Sequence, residues 1–149
     1  MTGLKFQSEK DLQDHCIRVL RSKGIQVKDE VWCDGIRADL VTSEAVIELK
    51  KVLNRDSLYQ ALGQASAYNQ ELKRNQIWIV GQYPTDSTSK QQAIKIATEI
   101  EKNAKVTVSF IDDDEFWNEY TSRGEWGDME IRLFVCGATF YSLSFYQLE

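Results

Sequence analysis

The stretch Ile36–Val52 constrains the fold most. Ile36 to Thr42 and Ala45 to Val52 are two short runs rich in Val, Ile and Leu, as buried strands are. A tight turn at Ser43-Glu44 joins them. Side chains alternate along a strand, so Glu48 and Lys50 point the same way. Pairing Thr42 with Ala45 and counting back sets Asp39 opposite Glu48, and opposed residues share a face. The pattern therefore predicts that Asp39, Glu48 and Lys50 converge on one patch of a sheet.

Two opposed carboxylates repel unless something neutralises them. Mg²⁺, typically held by one or two carboxylates with waters and phosphate oxygens, would do so. A lysine beside it suits orienting or deprotonating a water, or stabilising phosphate charge. A solvated hairpin face with a diagonal Asp39–Lys50 ion pair is the competing reading of the same residues.

Asp39 followed by Glu48-Leu49-Lys50 on the next strand resembles the core of the PD-(D/E)XK nuclease superfamily. Gln64 to Tyr68 in the next predicted helix is similar to the QxxxY motif of its RecB-like branch. Glu9 stands in the first helix, where many of these nucleases carry another acidic ligand. Ala38 occupies the place of the proline that names the motif. The resemblance spans residues 8–81. It implies a restriction-endonuclease-like α/β fold, a mixed sheet flanked by helices, and a Mg²⁺-dependent (or Mn²⁺-dependent) deoxyribonuclease. In that reading Asp39 and Glu48 hold metal, with Glu9 as a further ligand. Lys50 positions or activates water, and Gln64 and Tyr68 orient Lys50 or the scissile phosphate. Arg37, Lys51 and Arg55 are candidates for contacting DNA.

The 149 residues suit one domain, with a core over about 8–111 and an extension over about 112–149. No apolar run is long enough for a membrane span, and no signal-peptide pattern opens the chain. Cys16, Cys33 and Cys136 are scattered, and His15 is the only histidine, which argues against a zinc site and suits a reducing cytoplasm. The net charge of −5 argues against a general, charge-driven DNA binder. A nuclease of this charge needs a locally basic cleft, for which Lys50, Lys51, Arg55, Lys73 and Arg74 are candidates.

The remaining pattern predicts the order αβββαβαβ. Ser8 caps a first helix carrying Leu12, Cys16, Val19 and Leu20 inward and ending at Gly24. Ile25–Trp32 reads as a strand in which Glu30 is an exposed charge, and His15 reads as a surface residue. Asn54–Lys73 reads as a helix with a Ser57/Gln60 capping box, and Gln64 and Tyr68 lie one turn apart on one face. A buried amide–phenol pair would equally explain those two. Gln76–Gly81 reads as a buried strand, parallel to its neighbour after the crossover. A helix capped by Ser89 runs to Asn103, and Val106–Ile111 is a further strand. A short helix over 113–122 follows the acidic run at Asp112. Glu130–Cys136 and Thr139–Leu148 read as a hairpin with aromatic residues on both faces, which suggests a partner chain, a homodimer included. A non-cutting DNA-binding module and a protein-interaction domain on the same fold are the alternative functions.

Overall fold

The computed structural model describes residues 3–33 and 35–113. The expected short helix over 113–122 and the C-terminal hairpin over 130–148 lie outside these residues. All of the described residues belong to one compact unit. It is an α/β arrangement of a five-stranded mixed sheet and three helices. The chain order is α1 (Glu9–Ser22), β1 (Lys28–Cys33), β2 (Ile36–Val41), β3 (Ala45–Val52), α2 (Arg55–Leu72), β4 (Gln76–Gln82), α3 (Ser87–Asn103) and β5 (Thr107–Phe110). The strands lie side by side in sequence order. β1, β2 and β3 pair antiparallel, and β3, β4 and β5 pair parallel through the α2 and α3 crossovers.

Local chemistry sets the ends of each element. Ser8 Oγ accepts the Asp11 N–H at 3.0 Å and opens α1. At its other end Gly24 takes φ +83°. There the Ile25 N–H bonds to Leu20 O and the Gly24 N–H to Arg21 O. This closure uses Ile25, and Val27 O accepts from the Arg21 guanidinium. For that reason β1 begins at Lys28, three residues later than the apolar pattern predicts. The capping box of α2 is Asn54 with Ser57, not Ser57 with Gln60. Asp86, rather than Ser89, caps α3; Ser89 supplies the N–H that Asp86 accepts.

The β2–β3 turn is as predicted: the Thr42 N–H bonds to Ala45 O at 2.9 Å, and Thr42 Oγ1 accepts from the Glu44 and Ala45 N–H groups. Val46 packs with Tyr68 and Leu72 of α2, so β3 presents that face to α2. Glu48 and Lys50 follow Val46 at two-residue steps and therefore face the same way. Ile47 and Leu49 alternate to the other face and are fully buried, with α1 packed on β3. A second cluster joins Leu53, Leu58 and Ala61 to Ile79, Ala93, Ala97 and Phe110 beneath α2 and α3. No helix among the described residues is long and apolar enough to cross a membrane.

Two minor expectations are corrected. His15 is half-buried against the Phe6 ring, 4.9 Å between centroids. Burial, then Lys5 and Arg18, holds its pKa below the usual value. Arg74 is committed to structure: its guanidinium donates to Thr42 O and Leu72 O. Lys73 is the left-handed C-cap of α2, at φ +52°. That places both at the turn end of the hairpin, away from the carboxylates.

Candidate active site

The hairpin ladder carries Leu40↔Ile47 and Val41↔Val46, and stops there. One step further Asp39 and Glu48 face each other, and the strands part. Asp39 replaces the missing main-chain partner: its Oδ2 accepts the Leu49 N–H at 2.8 Å. Its backbone carbonyl accepts from Gln13 Nε2 of α1 at 3.3 Å. Arg37 Nη2 stands 3.8 Å from Asp39 Oδ1. β1 also loosens here. Glu30, which the register would set against Asp39, is missing from a ladder that continues on both sides of it. Glu30 takes φ +49°, a left-handed backbone costly for a non-glycine residue.

Glu48 is the electrostatic centre. It is 2% exposed, and its Oε1 is buried without a hydrogen-bond partner. Burial, then the Asp39 charge, pushes its pKa up to about 9; a hydrogen bond to the Asp39 carboxyl and the charge of Glu9 add to the rise, while Lys50 opposes it. Lys50 Nζ lies 3.7 Å from Glu48 Oε2, beyond hydrogen-bond range. The expected convergence of Asp39, Glu48 and Lys50 is therefore present. Lys50 partners Glu48 on its own strand, however, and no diagonal Asp39–Lys50 ion pair forms.

Glu9 joins from the first turn of α1. Partial burial, then the Asp39 charge, raises its pKa; Lys50 and the Lys51 backbone N–H act the other way. Two residues that the sequence pattern did not single out hold Glu9 there. Gln13, buried one turn later, ties α1 to β2 at Asp39. Gln82, 1% exposed, pairs with Phe6 as a strand would: the Phe6 N–H donates to its Oε1 at 2.8 Å, and its Nε2 donates to Phe6 O at 3.0 Å. The same Nε2 donates to Lys51 O at 2.9 Å. Their only sequence signal is an uncharged polar residue on an otherwise apolar face. Glu9, Gln13, Glu30, Arg37 and Asp39 line an open cleft of about 160 Å³, with Lys10 and Leu49.

From α2, Tyr68 is buried and its pKa is raised to about 12, first by burial and then by the charges of Glu48 and Asp39. Gln64 Oε1 is buried with no hydrogen-bond partner. An amide–phenol bond between them does not account for this pair. Arg55 opens α2 and is exposed, without an ion pair among the described residues. Lys51 sits in a register break between Lys50 and Val52.

Among the described residues no three His, Cys, Asp or Glu side chains converge closely enough to close around one ion. Glu48, pushed toward protonation by burial and by the Asp39 charge and left with an orphaned buried oxygen, nevertheless suits, together with Asp39, a hard divalent cation completed by water and phosphate. Perturbed acids of this kind cluster at functional sites. No family model, curated protein or solved structure matches the chain.

Proposed function

We propose that this protein is a Mg²⁺-dependent nuclease that hydrolyses phosphodiester bonds in DNA, built on a restriction-endonuclease-like fold. The observation that carries the reading is Glu48: a buried carboxyl with one unpartnered oxygen, beside Asp39, Glu9 and Lys50, where two strands part. A buried carboxyl oxygen left without a hydrogen-bond partner costs stability, which a purely structural role does not explain.

In this reading Asp39 and Glu48 would hold the cation, with Glu9 as a further ligand. Held there, Mg²⁺ would supply the positive charge that the two acids call for and the polarisation that phosphate hydrolysis needs. Asp39, fixed by the Leu49 N–H, presents its other oxygen in one orientation. Lys50 positions the attacking water and stabilises phosphate charge. Gln64 Oε1 offers a preformed acceptor for Lys50 or that water, and Tyr68 shields the acids from solvent. Arg37, Lys51 and Arg55 are the cations available to flanking phosphates. Cutting both strands of a duplex with one site per chain calls for a dimer, for which the C-terminal segment is the candidate surface.

The test is cleavage of linear, supercoiled, single-stranded and four-way-junction DNA with Mg²⁺ or Mn²⁺, comparing wild type with Lys50→Ala. Metal-dependent cutting that the substitution abolishes is the expected result. Binding without any cutting would favour a non-cutting module. Neither binding nor cutting would favour a protein-interaction domain.

A further inference from the structure

Trp32 has no role in the site as described, yet its position is unusual. It is 67% exposed, the most open large apolar side chain among the described residues. It lies on β1 directly across from Arg37 of β2. Opposed residues of an antiparallel pair share a face. Arg37 in turn reaches within 3.8 Å of Asp39 and lines the cleft with Glu9 and Asp39. The hairpin therefore carries, in a row, an exposed indole, a guanidinium and a carboxylate of the candidate site.

We propose that Trp32 is a base-stacking platform, and that the substrate is DNA with unpaired bases next to the scissile phosphate. This rests on the nuclease reading and names its substrate class. The choice of unpaired DNA follows from the geometry of stacking. A base inside a duplex has both faces covered by its neighbours, and freeing one costs unstacking energy. An unpaired base has a free face, and an indole binds it regardless of sequence. Arg37, one strand over, supplies the charge for the phosphate of the same nucleotide. Continuity with Arg37 and Asp39 favours a nucleic-acid base over a protein partner as the occupant. Tyr59, 52% exposed on α2, lacks any such link and serves as a control.

The experiment measures affinity of the Lys50→Ala protein for three DNAs of one sequence at fixed Mg²⁺: a single strand, a duplex with a three-nucleotide bulge, and a full duplex. The expected order is tighter binding of the two DNAs with unpaired bases. Adding Trp32→Ala should weaken those two roughly tenfold and leave the duplex unchanged. Trp32→Phe should restore most of the loss, and Tyr59→Ala should change nothing. The melting temperature should hold in each variant, because the side chains stand mostly in water.

Equal weakening on all three DNAs, or no weakening, overturns the stacking role while leaving the nuclease reading intact. A dimer that dissociates on Trp32→Ala, seen by sedimentation, overturns it in favour of a contact between copies. Failure of the Lys50→Ala protein to bind any DNA overturns both.

Discussion

At Glu48, placement on the strand followed from alternation, but its electrostatic state did not. A sequence shows which charges share a face; it does not show that water is excluded from them. Depth made the difference here, since burial contributes more than Asp39 to the raised pKa. The sign of the consequence is definite. In the unfolded chain the group titrates near 4.5, and in the folded protein near 9. Folding is thus favoured below the lower value, and that contribution is lost as pH rises through the upper one. Glu48→Gln removes the titration. In metal-free buffer the variant and wild type should melt alike near pH 5, and the variant should gain steadily toward pH 9, by up to about 6 kcal/mol if the whole shift is expressed. Parallel melting curves across that range would mean that the Glu48 carboxylate is already compensated inside the protein.

The elements were more legible than their junctions. β3 runs from Ala45 to Val52 as its pattern predicts, because a buried strand of eight residues carries a strong signal. Nothing in the sequence marked the register break after Lys50, where the main chain gains a residue against β4. The one trace was Gly81 inside an apolar strand, a position that often marks close approach of another backbone. Gly81 pairs with Lys50. A Cβ there would collide with the Lys50 carbonyl and come within 2.7 Å of Leu53 Cγ. Such breaks re-aim side chains next to functional sites. Here the break follows Lys50 directly and turns the Lys51 N–H toward Glu9. Gly81→Ala should therefore do two things. It should lower stability by about 1–3 kcal/mol, as overpacking does. It should also depress cleavage well beyond the unfolded fraction, because Lys50 must move. Comparing turnover with the melting curve separates the effects, and a loss of activity that merely tracks unfolding would deny the break any part in aiming Lys50.

For the whole molecule, the order αβββαβαβ was readable through β5, since each of these elements has its own periodicity and cap. The helices that bring Glu9 and Tyr68 to the strands were readable as elements, but the two glutamines that fasten the start of α1 were not. Each acts across a long sequence separation, Gln13 to Asp39 and Gln82 to Phe6, and local patterns carry no record of such contacts. The same whole-chain view bounds how DNA can be held. With a net charge of −5, overall charge attraction does not drive binding. Arg74 is spent on backbone carbonyls, and Lys10 pairs with Asp14 at 3.2 Å. Arg37, Lys51 and Arg55 remain near the site or at the start of α2, so roughly two or three phosphates should be neutralised besides those that meet the cation. Each contributes about −0.9 to the slope of log K against log salt. For the Lys50→Ala protein at fixed Mg²⁺, the slope on duplex DNA should lie between about −2 and −3, so that affinity falls by only about 10- to 60-fold from 50 to 200 mM salt. A slope near −6 or steeper would require many more cations than the cleft supplies, and would move the DNA-binding surface away from the strands that carry Asp39 and Glu48.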